Sequence, residues 1–140
     1  MLLNEIKQSV YNFLMVDENP FKNVLLGGLH YVHNDLDPDD VIYPYGIYNF
    51  AGGNYDGDSC TDLEFPILRI TMYDNNDSSY RISDCGEKLD TRLNNCQMNL
   101  VFNSYYSLSV RRVSPPIETK TVLNNWQHSR SYKLKLQRKN

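Results

Sequence analysis

The sequence predicts a small α+β domain: a mostly antiparallel sheet of about four strands, with an N-terminal helix and a central helix packed on one face. Three observations predict it. The chain has 140 residues, enough for a single domain (1–140) whose core needs no disulfide or metal staple. Apolar residues recur at helical spacing in two stretches and alternate at strand spacing in three others. The stretches run helix, strand, strand, helix, strand, strand, and strand pairs on either side of a helix favour antiparallel pairing.

Residues 2–16 place Leu3, Ile6, Val10, Phe13 and Leu14 on one helical face. Asp17-Glu18-Asn19-Pro20 ends that helix, because proline disfavours helical backbone at the residue before it. Residues 21–41 lack a period: Gly27-Gly28 punctuates them, and the run from Asp35 to Asp40 reads as an acidic turn. Val41 to Phe50 has strand composition, while Pro44 and Gly46 point to an edge strand or a bulge. Ala51 to Asp62 reads as a loop or hairpin tip. Leu63 to Tyr73 is the clearest strand, with Leu68, Ile70 and Met72 alternating with Arg69, Thr71 and Tyr73.

After the turn Asp74-Asn75-Asn76-Asp77, Ser78 or Ser79 is placed to cap a helix over roughly residues 79–96. Ile82, Cys85, Leu89, Leu93 and Cys96 form its apolar face. Gly86 costs such a helix about 1 kcal/mol relative to alanine and marks close packing on the sheet. Two strands follow, around Tyr106–Arg111 and Tyr132–Gln137, separated by Pro115-Pro116. No internal repeat, heptad array or low-complexity tract is present.

The eleven tyrosines suit half-buried strands and protein–protein contacts; an AT-rich coding bias accounts for them equally well. Cys60, Cys85 and Cys96 have neither metal-ligand nor redox spacing. On one straight helix Cys85 and Cys96 would stand about 16 Å apart, too far to bridge, so reduced thiols and a reducing compartment are expected. The N-terminus reads as neither a signal peptide nor a membrane span.

Charge is uneven. Residues 1–90 hold 16 acids and 5 Lys or Arg, a net −11; residues 91–140 hold 1 acid and 9 Lys or Arg, a net +8. That asymmetry fits head-to-tail packing of identical subunits, a basic patch for nucleic acid, or mutual neutralisation within one fold. Arg111-Arg112 and the terminal Lys133, Lys135, Arg138 and Lys139 are the basic elements. Lys133 and Lys135 alternate with apolar residues and so project from one face, toward solvent, DNA or an acidic partner.

No catalytic site is legible. His30, His33, Asp35 and Asp37 form a cluster whose spacing matches no metal motif. Asp35–Gly46 lacks the glycine and the terminal glutamate of a calcium loop. Cys60 sits between Asp58 and Asp62, which raise a thiol pKa and so oppose reactivity. The expectation is a non-enzymatic protein without metal or cofactor. A small metal-dependent or hydrolytic enzyme using His30, His33 and Asp35 is the alternative from another class.

The sequence resembles the small tail-completion, or tail-terminator, proteins of long-tailed bacteriophages. The resemblance rests on the short N-terminal helix and the Tyr-Pro strand Ile42-Tyr43-Pro44-Tyr45-Gly46-Ile47-Tyr48. A glycine- and aspartate-rich loop, the strand Phe65–Tyr73, the helix Ser79–Cys96 and two closing strands complete it. It covers nearly the whole chain; the acidic 33–40 segment and the long Arg111–Trp126 connection depart from it. It implies a homohexameric ring in the virion, assembled in the host cytoplasm, at the head-proximal end of the tail. There it would end tail-tube polymerisation and join the tail-tube protein to a head-completion or connector protein. DNA would pass through the ring without sequence-specific binding, and no membrane is involved. A head–tail connector or a tail-tube subunit is the alternative within the same assembly. Exposure and opposite charge suggest that Asp56 and Asp58 of one subunit lie near Arg111 and Arg112 of the next.

Overall fold

The computed structural model describes residues 1–32, 40–56 and 62–139, without the side chains of 52–56. Helix α1 (Leu3–Leu14) buries Ile6, Val10 and Leu14, the face the apolar spacing marks. Asn19 closes it and opens α2 (Pro20–Val24). The Asn19 side chain donates to the Leu14 carbonyl at 2.7 Å and accepts from the Phe21 amide at 3.2 Å. An asparagine cap followed by a first-turn proline is a helix-start signal, so the residues that stop one helix also start the next.

Strand β1 (Leu29–Tyr31) pairs in parallel with β2 (Tyr45–Asp56). Strand β2 turns back antiparallel into β3 (Leu63–Asp74), with Tyr45 opposite Tyr73 and Asp56 opposite Leu63. Helix α3 (Tyr80–Leu93) follows, then β4 (Tyr105–Arg112), β5 (Ile117–Lys120) and β6 (Trp126–Arg138). The sheet order is β1-β2-β3-β6-β4, and every pairing but β1–β2 is antiparallel. Strand β6 shares its outer edge: β4 pairs with its second half and β5 with residues 126–129.

The core lies between one sheet face and the two long helices. Leu68, Ile70 and Met72 of β3 and Tyr132, Leu134 and Leu136 of β6 meet Ile6, Val10 and Leu14 of α1 and Ile82, Cys85, Leu89 and Leu93 of α3. At about 25 cal/mol per Å² of apolar surface removed from water, this face is the main stabilising term.

The α+β class and the helices on one face agree with the sequence; four details differ. Among the described residues the sheet has six strands rather than about four; β1 and β5, only three and four residues long, are the additional ones. Strand β2 is interior, flanked by β1 and β3, and it starts after Pro44. Its irregularity falls between Phe50 and Gly53; Ala51 to Asp56 extends the strand, and residues 57–61 of the expected loop or hairpin tip lie outside the described residues. Cys96 lies beyond the end of α3 at Leu93, although it is buried with the core. At the start of α3 the Tyr80 amide donates to the Ser78 hydroxyl at 3.1 Å, and Ser79 makes no capping bond.

Candidate functional site

His30 lies in β1, and its Nε2 is 2.9 Å from the Gly27 carbonyl oxygen. Its proposed partners His33, Asp35 and Asp37 lie outside the described residues, as do Cys60 and Asp58. Among the described residues no group of three or more His, Cys, Asp or Glu is placed to hold a metal ion. Cys85 and Cys96 are both free and buried, and burial pushes each thiol up to about 11, away from the thiolate form that reacts.

A polar cluster that the sequence does not announce sits between α3 and the β5–β6 hairpin. Ser83 of α3 donates to Glu118 Oε1 at 2.6 Å, and Glu118 Oε1 lies 2.8 Å from His128 Nδ1. Arg130 Nε donates to His128 Nε2 at 3.0 Å. Asp90 Oδ1 accepts from Tyr132 Oη at 2.8 Å and faces Arg130 Nη1 at 3.6 Å, while Asp90 Oδ2 accepts from Arg112 Nη1 at 3.0 Å. These bonds set the tautomer: Nδ1 carries the proton toward Glu118, and Nε2 is the acceptor for Arg130. Serine, glutamate and histidine are all present, yet Ser83 bonds the carboxylate and both imidazole nitrogens are engaged. No nitrogen is left to accept the serine proton, so the cluster lacks the nucleophile–base contact of acyl transfer. Its work is to fix the hairpin on α3.

The cluster makes stability depend on pH. Burial pushes the His128 imidazole down, Arg130 adds to that, and the Glu118 contact opposes it. Burial also raises the Glu118 carboxyl, but the hydrogen bonds from Ser83 and His128 bring it below its ordinary value. A histidine whose folded pKa is depressed binds fewer protons folded than unfolded. Its contribution is therefore complete above the unfolded value of about 6.5 and lost as pH falls through it. The glutamate term has the same sign and is lost below about 4.5. Urea midpoints are expected to fall between pH 7.5 and pH 5.5, and the fall should be smaller in His128→Gln. Equal falls in both proteins would contradict the assignment.

Among the described residues, the sheet's second face carries no helix. Register places Arg69 beside Ser131, Ile67 beside Lys133, Lys133 beside Arg111, and Lys135 beside Ser109. Phe65, Ser109, Arg111, Lys133 and Lys135 line a shallow depression of about 230 Å³ on this face. Lys133 Nζ lies 5.2 Å from the centre of the Phe65 ring, within cation–π range. Arg69, Arg111, Lys133 and Lys135 make no ion pair among the described residues. The other end of the face is aromatic and hydroxylic: Tyr45 stacks on Tyr73 with ring centres 5.2 Å apart, and Thr71 and Ser129 share a hydrogen bond.

Of the four residues expected at a subunit contact, Arg111 and Arg112 lie on opposite faces, and Asp58 lies outside the described residues. Neighbours on a strand point to opposite faces, so Arg111 joins the open face while Arg112 turns to the helix side and pairs with Asp90. Asp56 ends β2 opposite Leu63. The same alternation places Lys133 and Lys135 together on the open face, as their spacing predicts. Arg69 escaped the sequence reading as a site residue; its signal was its place among the outward positions of the clearest strand.

The sequence matches no protein-family profile and no curated protein. The fold is similar to that of a chain in the solved structure of the virion of a native gene transfer agent particle. The TM-score is 0.78, and the likeness covers 97% of this chain and 97% of that chain at 8% identity. At that identity the likeness is one of fold, and it spans the two-layer arrangement from end to end.

Proposed function

We propose that this chain is a structural protein of a phage-like virion, and specifically the ring subunit at the head-proximal end of a tail. In that role six copies close into a ring that ends tail-tube polymerisation and joins the tube to head-completion or connector proteins, with DNA passing through. The observation that carries the reading is the end-to-end fold likeness to a virion component. The order of elements and the Tyr-Pro strand, which starts β2 at Tyr45, support the finer assignment. A ring needs two unlike, complementary surfaces on each subunit, and a sheet with helices on one side and a basic open face on the other supplies unlike surfaces.

Light scattering on the purified chain, with images of the particles, tests this. A hexameric ring at the junction of tail and head is the expected result. A strict monomer absent from particles would sink the reading. Copies spaced along the tail would assign a tube subunit instead, and copies at the head vertex a connector.

A further inference from the structure

We infer that the open sheet face is one side of the copy-to-copy contact: Arg69, Arg111, Lys133 and Lys135, set around Phe65 and Ile67, receive the carboxylate-bearing surface of a second copy of this chain. The inference rests on the ring reading and says which face closes the ring.

The face has the chemistry of a contact. Four cations share it without an ion-pair partner among the described residues, whereas Arg81, Lys22, Lys88, Arg112 and Arg130 on the helix side each face a carboxylate of their own chain. The unpaired cations surround apolar surface, since Phe65 and Ile67 are only half-buried. A charged rim around an apolar centre is the usual plan of a protein–protein interface.

Charge complementarity selects the occupant. The chain carries 17 acids against 14 Lys and Arg, and four of the cations without an ion-pair partner among the described residues share this face. Glu18, in the turn before α2, and Glu87, on α3, are exposed on the helix side without an ion-pair partner among the described residues. Open face to helix side is a head-to-tail contact between different surfaces, the kind that closes into a ring when its rotation is right. Duplex DNA fits less well. The net charge of −3 works against a polyanion at long range.

The test compares Arg111→Glu, Lys133→Glu and their double variant with Lys120→Glu, a like change on exposed β5, away from the face. Circular dichroism melts verify folding; Arg111→Gln and Lys133→Gln serve if a reversal unfolds the chain. Sedimentation should show the wild type assembled at low salt and weakened at 0.5 M salt, on the order of the screening expected for exposed charges. The single variants should associate at least tenfold more weakly, the double variant should be monomeric, and Lys120→Glu should match the wild type. Wild-type rings with unchanged rings in the double variant would overturn this inference and leave the ring reading standing. A wild type that is monomeric at every salt concentration would overturn this inference, and its absence from particles as well would overturn the ring reading. A wild type that stays monomeric but binds a 20-base-pair duplex through Arg111 and Lys133 would make the face a nucleic-acid surface instead.

Discussion

Replacing Gly86 by valine is expected to destabilise the fold by about 3 kcal/mol, the upper end of the range for overpacking a core. Gly86 lies on the buried side of α3, against the imidazole of His128. A Cβ at this position would stand 2.8 Å from His128 Cε1 and 2.9 Å from Cδ2, and closer still to Nε2. The ring cannot swing away cheaply, because Glu118 holds one nitrogen and Arg130 the other. Two effects compete at the alanine variant. Alanine favours helix over glycine by about 1 kcal/mol, and the clash opposes it. The clash should win, leaving Gly86→Ala destabilised by about 1 kcal/mol. The sign should reverse when the ring is removed: in a His128→Ala background, Gly86→Ala should be neutral or stabilising. A double-mutant cycle on urea midpoints reads this coupling directly. Additivity within about 0.5 kcal/mol would show that the glycine is not there for the ring.

Asp90→Ala is expected to cost about 3 kcal/mol, the scale of breaking a buried charge pair by removing one partner. Asp90 accepts from Tyr132 and Arg112 and faces Arg130. Tyr132 is fully buried and Arg130 is 7 % exposed. Burial first, and then the Asp90 carboxylate, hold the Tyr132 phenol well above its ordinary pKa, so it remains a donor. Without Asp90 that donor loses its acceptor, and the Arg130 guanidinium loses its facing carboxylate while keeping its hydrogen bond to His128. Asp90→Asn keeps an oxygen for Tyr132 and removes the charge, so about half the loss is expected. Equal losses for alanine and asparagine would mean that the charge carries the whole effect. Negligible losses for both would mean that the cluster is not stabilising.

These two residues show where the sequence speaks and where it is silent. The glycine within α3 carried a legible message, close packing on the sheet, but not its cause. His128 is held against the helix by Glu118, which the pairing of β5 with β6 sets opposite it. Strand β5 is exposed at all four positions, so it has no apolar alternation to read. Strand β1 is too short to show a period. The second half of β2 was hidden by Ala51-Gly52-Gly53-Asn54, a turn-like composition held in a strand by its pairing with Glu64–Pro66. Strand β3 and helix α3 were legible because each buries one face against the core, which imposes the period. On the open face, period-two spacing alone puts Lys133 with Lys135, and the same rule parts Arg111 from Arg112. Which of the two arginines faces outward depends on the register of β4 against β6, and that is set by contacts distant in sequence.

In its proposed role this chain closes into a ring of identical copies at the end of a tail. Imaging of purified particles, with the chain located by an epitope tag and its copies counted, tests that most directly. Six copies in a single ring between tail tube and head are predicted. Particles with full tails and heads that lack the chain, or that carry it anywhere but in one closed ring at that junction, would rule that role out.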